Sequence, residues 1–389
     1  MNRPLRSQQR PEVAAISGIG ETRYGRGVSD ASALALQLEA ALAAVRDAGL
    51  QPSEIDGVIP MANGSALAED FIENFGIADL RFSGTVPMGG ASSVASIQMA
   101  CAVIEAGICR HVLLVAGRDG RGGNISERVR QMPQFRMVAE FEMPTGAFAP
   151  VQLYAPMARR HMEMYGTRVE DLAEIAVTMR RHALGHPNAL MQKPMTVADH
   201  LASRMIADPL RLLDCSLESF GAAAVVVSAL PCTRDMRQRP VVVMAAAEGH
   251  PPSPSAITQR DDITRLGIAR IADRVFAQAG VTRDDIDVAQ IYDCFTYILL
   301  CQLEDLGFCN KGEGGAFVRD GRIGLGGALP VNTHGGLLSQ AHMVGMNHIV
   351  ELARQLRGEA ANQAPDAEVG LVTGYGDMGD GALAILRRG

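Results

Sequence analysis

The sequence predicts an α/β protein built from two related halves. Three observations carry that prediction. Short Val/Ile/Ala-rich runs alternate with longer segments of helical period. DAGLQPSEIDGVI (47–59) is echoed by QAGVTRDDIDVAQI (278–291), with Ala48 falling on Ala279 and Ile55 on Ile286 at an offset of 231 residues. A second echo follows in the same order, VLLVAG (112–117) and VGLVTG (369–374), each after a Gly-Gly turn and a helix.

The elements follow in order. Strands are expected at 13–19 and 57–61, the second closing the first copy of the echo, and at 112–117 in the second echo. The apolar runs 222–229 and 241–247 are continuous enough for strands buried on both faces. Later strands are expected at 288–292, 369–374 and 382–387. Helical period marks 30–48, 93–107, 154–165, 169–183, 262–279, 296–306 and 343–356. Ser29 and Asp30 before an Ala/Leu run supply a helix entry, and Thr167 with Glu170 has the form of a capping box. Pro231 to Pro240 (PCTRDMRQRP) is charged and proline-bounded, which suits a linker between halves at 1–235 and 236–389. The segment 120–217 has no counterpart in the second half and carries two helices, as an insertion that covers an active site or builds a dimer interface would.

Composition narrows the partners. The chain has 389 residues, 47% of them hydrophobic and 20% charged, with a net charge of −7 spread without blocks. That balance argues against nucleic acid or an anionic membrane as the main partner. The longest apolar run, Gly221 to Leu230, is about half of what a membrane span requires. Seven cysteines without CxxC spacing indicate reduced thiols in a cytoplasmic protein. The polar start, MNRPLRSQQRPE, has no apolar core of the signal-peptide type. The nine glycines between Gly312 and Gly336 form neither a Walker nor a dinucleotide arrangement, and they are expected to line a narrow site as close-approach loops.

The segments YAPMARRHMEMYGTRVEDLAEIAV (154–177), RRHALGHPNA (180–189), SRMIADPLRLLDCS (203–216), IYDCFTYILL (291–300), GEGGAFV (312–318) and VNTHGGLLSQAH (331–342) run in this order along nearly the whole chain. They resemble the thiolase-like lipid-transfer proteins, the sterol-carrier-protein thiolase branch of the thiolase superfamily. The resemblance implies a thiolase fold: two duplicated α/β halves in five layers, α-β-α-β-α, with an inserted helical loop region. Thiolase chemistry uses a cysteine at a helix start, where backbone N–H groups favour the thiolate, together with histidines, an asparagine and a second cysteine. Here the nucleophile's motif falls on Gly90-Ala91-Ser92-Ser93, and Gly90 has no side chain to attack with. The His-Asp-x-Phe motif becomes Tyr292-Asp293-Cys294-Phe295, Gly-His-Pro becomes Ala341-His342-Met343, and the second cysteine falls on Tyr375.

These departures select the candidate residues. Tyr292 and Tyr375 fall at the C-terminal ends of predicted strands, where ligand crevices open in such sheets. His342 follows a Gly-Gly turn and is expected to begin a helix, whose N-terminus favours a neutral imidazole. Asn332 is expected to orient a ring, and with Gly90, Ser92 and Gly376 to form the oxyanion and substrate contacts. His348 packs on its helix and His334 braces the loop. Ser92 and Ser93 read as helix caps and Cys294 as a buried thiol, each weighed as a substitute nucleophile. Asp377 and Asp380 read as solvated turn residues, with no metal.

A thiolase-like site without a nucleophile and with two tyrosines resembles the side-chain-cleaving aldolases of this family. That resemblance implies retro-aldol cleavage of a β-hydroxyacyl-CoA, such as a steroid side-chain thioester, with coenzyme A as part of the substrate and no tightly bound cofactor. Tyr292 would take the hydroxyl proton, His342 would stabilise the enolate, and Tyr375 or His342 would return the proton. It also implies a homodimer and an OB-fold, zinc-ribbon DUF35 protein that completes the acyl-CoA tunnel in a heterotetramer. Two alternatives stand beside it: a Claisen-type acyltransferase with an unusual nucleophile, and a non-catalytic acyl-CoA or lipid-binding subunit.

Overall fold

Nine strands form one sheet whose order repeats itself about its middle. The computed structural model describes residues 11–121, 137–251, 257–376 and 379–389. Its strands are β1 (Ala14–Glu21), β2 (Gly57–Pro60), β3 (Phe82–Ser83), β4 (His111–Arg118), β5 (Met205–Ala207), β6 (Leu210–Arg211), β7 (Gly221–Ala229), β8 (Val241–Gly249), β9 (Val288–Gln290), β10 (Val369–Tyr375) and β11 (Gly381–Arg388). The sheet order is β3-β2-β4-β7-β1-β8-β11-β10-β9, and β5 with β6 makes a separate pair. Outward from the β1/β8 seam, β7-β4-β2 on one side matches β11-β10-β9 on the other. The pairings agree too: antiparallel, antiparallel, then parallel on each side. The seam itself is short, with Ala15 opposite Val242 and Ile16 opposite Val241.

The helices are α1 (Ala33–Ala48), α2 (Ala68–Phe75), α3 (Ser92–Glu105), α4 (Pro150–Tyr165), α5 (Val169–Leu184), α6 (Val197–Ala202), α7 (Ala272–Ala279), α8 (Thr296–Asp305), α9 (Gly314–Val318), α10 (Gly336–Ser339) and α11 (Met346–Arg357). Side chains alternate across each strand, so a strand buried on both faces feeds two cores. In β7, Ala222, Ala224 and Val226 pack towards α1. Its alternate residues Ala223, Val225 and Val227 enter a central core that holds α3 and α11. In β11, Ala382, Ala384 and Leu386 join that same central core, whereas Leu383 and Ile385 face an outer core with α7 and α8. The layers are therefore helix, half-sheet, the α3/α11 pair, half-sheet, helix. Each fully buried Val, Leu or Ile contributes roughly 1.5–3 kcal/mol towards holding them.

The insertion covers the half that does not carry it. Tyr154, Met157, Leu172, Ile175 and Met179 of α4 and α5 pack into the outer core beside Leu299, Leu300 and Leu303 of α8. Residues 122–136 of the insertion lie outside the described residues. No helix among the described residues is long and apolar enough to cross a membrane.

Several boundaries differ from the sequence expectation. Helix α1 begins at Ala33, and Ser32 rather than Ser29 caps it by accepting from the Ala35 N–H at 3.1 Å. The box expected at Thr167 and Glu170 sits one residue later: the Asp171 carboxylate accepts from the Arg168 N–H at 2.9 Å, and the Thr167 hydroxyl meets the His161 ring. The helix expected over 262–279 is a single turn at Gly267–Arg270 followed by α7. Gly267 approaches Gly249 so closely that a Cβ would overlap the Gly249 carbonyl, and its N–H bonds Gly379. That contact diverts the chain from helical hydrogen bonding. Strand β9 ends at Gln290, so Tyr292 lies in the turn beyond it.

Candidate active site

Hydrogen bonds clamp the turn after β9 on three sides. The Tyr292 N–H donates to Thr373 Oγ1 on β10 at 3.0 Å, and the Tyr292 carbonyl accepts from Gln302 Nε2 on α8 at 2.7 Å. Thr373 and Gln302 are themselves joined, at 2.7 Å. Asn332 uses both ends of its amide on Ile291: Oδ1 accepts from the Ile291 N–H and Nδ2 donates to the Ile291 carbonyl, each at 2.7 Å. Asn332 thus grips the peptide ahead of Tyr292 instead of orienting a ring. Its positive φ of 50° suits asparagine, which tolerates this region better than most residues.

The clamp aims the Tyr292 phenol at the start of α3. A Cβ built on Gly90 would overlap the phenolic oxygen and Cζ of Tyr292 and stand 2.5 Å from the Tyr375 carbonyl oxygen. The space that a side chain at position 90 would need is filled by the tyrosine hydroxyl. Tyr292 is 3% exposed, and its Oη lies 3.0 Å from His342 Nε2. The two residues form a phenol–imidazole pair at the site's centre, the phenol buried and the imidazole half-buried.

His342 does not begin a helix. It lies between α10 and α11, and α11 starts at Met346 with Gly345 as its cap. The end of the insertion and the residues just after it hold His342 instead: its N–H donates to Ser219 Oγ at 2.8 Å, and its Nδ1 lies 3.3 Å from Ser216 Oγ. Neither serine was identified from the sequence, because each lies more than a hundred residues from the histidine it touches.

Tyr375 ends β10, 2% exposed, with its ring edge-on to Tyr154 at 5.5 Å. Tyr154 in turn stacks edge-on with Phe295 at 5.3 Å. Arg260 is buried near Tyr375, Asp380, Tyr154 and Glu142; burial pushes its pKa below the usual arginine range, against the attraction of those groups. Tyr154 and Arg260 are further neighbours that sequence reasoning missed. Tyr154 opens one of the motifs quoted above, whereas nothing in the sequence marked Arg260.

The remaining expected contacts are built into the loops. Ser92 Oγ accepts from the Met88 N–H at 3.1 Å in the first turn of α3. The Ser93 hydroxyl donates to the Val344 carbonyl at 2.7 Å, tying the start of α3 to that of α11. Gly376 donates its N–H to the Asp380 carbonyl at 2.8 Å in the β10–β11 turn. Cys294 lies in the outer core. Of the glycines from Gly312 to Gly336, Gly314, Gly315, Gly335 and Gly336 meet Leu300, Asp171, Ala183 and Asp293, not the tyrosine pair. Asp377 lies outside the described residues, and Asp380 Oδ1 stands 2.9 Å from His250 Nδ1. Among the described residues no three His, Cys, Asp or Glu side chains gather as metal ligands would.

A buried polar cluster underlies the pair. The Asp293 carboxylate accepts from the Leu337 and Leu338 N–H groups at 2.8 and 3.3 Å, capping α10. His348 Nε2 lies 3.2 Å from Asp293 Oδ1, and its Nδ1 lies 3.3 Å from His334 Nε2. Burial pushes His334 well below the usual imidazole range, with His348, His186 and His182 adding to the effect. Burial also lifts Glu351 to about 7, although Thr333 and Gln355 donate to it at 2.5 and 3.1 Å. A cavity of about 760 Å³ lies elsewhere, at the end of β1 beside α1, and contains none of the expected site residues.

With this geometry in place, comparisons with known proteins decide the family. A family model described as "Thiolase C-terminal domain-like" matches residues 249–388. The steroid side-chain-cleaving aldolase of Thermomonospora curvata is 38% identical over 372 residues, which span 93% of this chain and 95% of that protein. The chain belongs to the thiolase superfamily, on its side-chain-cleaving aldolase branch. Within that branch, the 17-hydroxy-3-oxo-4-pregnene-20-carboxyl-CoA lyase of Mycobacterium tuberculosis is also 38% identical, over 92% of this chain and 95% of its own. The solved Ltp2-ChsH2(DUF35) aldolase superposes on this thiolase-family chain with a TM-score of 0.90 at 37% identity, covering 97% of this chain and 98% of that one.

Proposed function

We propose that this chain cleaves the Cα–Cβ bond of a β-hydroxyacyl-CoA thioester by retro-aldol chemistry, with Tyr292, His342 and Tyr375 as its acid–base groups. One observation carries the reading: the Tyr292 hydroxyl fills the space of the superfamily's nucleophile, so the residue at position 90 cannot carry an acyl group. Ser92 and Ser93 do not replace it, since one hydroxyl accepts from Met88 and the other is committed to Val344.

The chemistry needs a base for the β-hydroxyl and a site for the enolate. Tyr292 takes the hydroxyl proton while passing its own to His342 Nε2, across the 3.0 Å contact. The β-carbon becomes a carbonyl, the Cα–Cβ bond breaks, and its electron pair moves into the thioester as an enolate. The imidazolium of His342 and the N-terminal end of α3, a helix of 14 residues, stabilise that negative charge. The proton held on His342 then reaches Cα, directly or relayed through Tyr375, which restores the starting state.

The substrate is a steroid side-chain thioester of the kind named for the M. tuberculosis relative. For 17-hydroxy-3-oxo-4-pregnene-20-carboxyl-CoA, breaking the bond between the hydroxyl-bearing carbon and the thioester α-carbon yields a 17-ketone and propionyl-CoA. No tightly bound cofactor takes part in this scheme. The partner in this reading is a DUF35 protein, the kind named in the solved aldolase, here taken to be of the OB-fold, zinc-ribbon type and assembled with a homodimer of this chain in the cytoplasm.

Kinetics of two variants, measured with the partner present, test the assignment. Tyr292→Phe is expected to lower kcat about 10³-fold and His342→Ala about 10²-fold, at unchanged melting temperature. Full activity in both would refute it.

A further inference from the structure

We infer that Ser216 is a positioning residue that holds His342 in the tautomer with its proton on Nδ1, leaving Nε2 as the acceptor for Tyr292. The inference rests on the retro-aldol reading above. A neutral imidazole carries one N–H and one lone pair, and the partner of each nitrogen decides which is which. His342 has a hydroxyl at each ring nitrogen: Ser216 Oγ at 3.3 Å from Nδ1 and Tyr292 Oη at 3.0 Å from Nε2. A phenol is a far stronger acid than an aliphatic alcohol, so Tyr292 is the better donor and takes the lone pair. Ser216 is left to accept from the Nδ1–H.

The segment that carries Ser216 is stitched down on both sides. The Ser216 N–H donates to the Cys294 carbonyl at 2.9 Å, and the Leu217 N–H to the Leu337 carbonyl at 3.0 Å. Cys215 bridges to Phe295, and the buried Asp214 accepts from Thr296 Oγ1 at 2.6 Å and meets His200 Nε2 at 2.8 Å. Three residues further on, Ser219 fixes the His342 backbone. The short segment from Ser216 to Ser219, where the insertion ends, therefore brings two hydroxyls to one histidine, one for its main chain and one for its ring. During turnover the proton received at Nε2 makes an imidazolium whose Nδ1–H stays bonded to Ser216, and the same proton leaves from Nε2 to Cα. Without Ser216, a share of the histidine would present an N–H to Tyr292 and could not accept its proton.

The test compares Ser216→Ala with Ser216→Thr in the complex of this chain with its partner, using 17-hydroxy-3-oxo-4-pregnene-20-carboxyl-CoA as the probe. Ser216→Ala is expected to lower kcat about 10-fold with KM within about twofold and an unchanged melting temperature, while the threonine hydroxyl restores kcat to within about threefold. In protein labelled with ¹⁵N-histidine, His342 Nε2 is expected in the unprotonated range of chemical shift in the wild type and at an averaged shift in Ser216→Ala. An unchanged kcat in Ser216→Ala, a threonine variant as slow as the alanine one, or an unchanged His342 spectrum would overturn the inference. If Tyr292→Phe and His342→Ala are inactive while Ser216→Ala is fully active, this inference alone falls. If all of them are active, the retro-aldol reading falls with it.

Discussion

The duplication gives the molecule two equivalent strand-end regions, and only one of them carries the tyrosine–histidine pair. The 231-residue offset that pairs Ile55 with Ile286 sets Met61 opposite Tyr292, and the VLLVAG/VGLVTG pairing sets Arg118 opposite Tyr375. Around Met61, the side chains of Ile59, Pro60, Val86, Val115 and Val344 leave a space of only about 10 Å³. Ser92, Ser93 and Ser96 border that space, each with a hydrogen bond of its own. The central helices differ in the same direction. Aligned at their first residues, Ser92 and Met346, α11 has His348 and Glu351 where α3 has Val94 and Ile97, all of them buried. One copy of the unit thus supplies apolar packing and the start of α3. The other concentrates the costly buried polar groups, and with them the capacity to move protons.

The sharpest way to break this contrast is Gly90→Ala. A methyl group there overlaps the Tyr292 hydroxyl, so Tyr292 must leave His342, and kcat is expected to fall at least about 100-fold, with a stability loss of roughly 1–3 kcal/mol from overpacking. A crystal structure of the variant showing Tyr292 still 3.0 Å from His342 would contradict the steric argument.

Glu351→Gln probes the polar cluster through pH. The carboxyl of Glu351 is raised by burial to about 7, so the fold favours its protonated form. Its contribution to stability is complete below the unfolded value of ~4.5 and is lost as pH rises through about 7. Denaturant unfolding of the wild type should therefore lose on the order of 3 kcal/mol from this group across that window, and the glutamine variant should show a flatter profile. Parallel profiles would remove Glu351 as the cause.

The mildest change lies at the apolar end. Val115→Ala deletes two buried carbons and is expected to cost on the order of 2 kcal/mol by chemical denaturation with kcat within about twofold. A large loss of kcat at unchanged stability would mean that the apolar end takes part in turnover.

The sequence carried the architecture well because the architecture rests on periodicity and repetition. Strand β7 reads as an unbroken Ala/Val run because both its faces are buried, and the echo at Ile55 and Ile286 reappears as the mirrored strand order. Helix edges were less readable: the stretch from Ile263 to Ile271 has apolar residues at helical spacing, but the close approach of Gly267 to Gly249 turns it into a single short turn. At the site, motif positions singled out Tyr292, His342 and Tyr375. That the phenol stands in the space above Gly90, that Asn332 is spent on a peptide, and that Ser216, Ser219, Tyr154 and Arg260 converge from distant segments are tertiary facts with no local signature.

The most direct test of the central claim is mass spectrometry of a single reaction. Purified protein with its partner is incubated with 17-hydroxy-3-oxo-4-pregnene-20-carboxyl-CoA in deuterated water, and both the products and the intact protein are weighed. The retro-aldol account predicts equal amounts of 17-ketone and propionyl-CoA, one deuterium on the α-carbon of the propionyl group, and no added mass on the protein. An acyl adduct on the chain, or thioester consumed without ketone release, would contradict it.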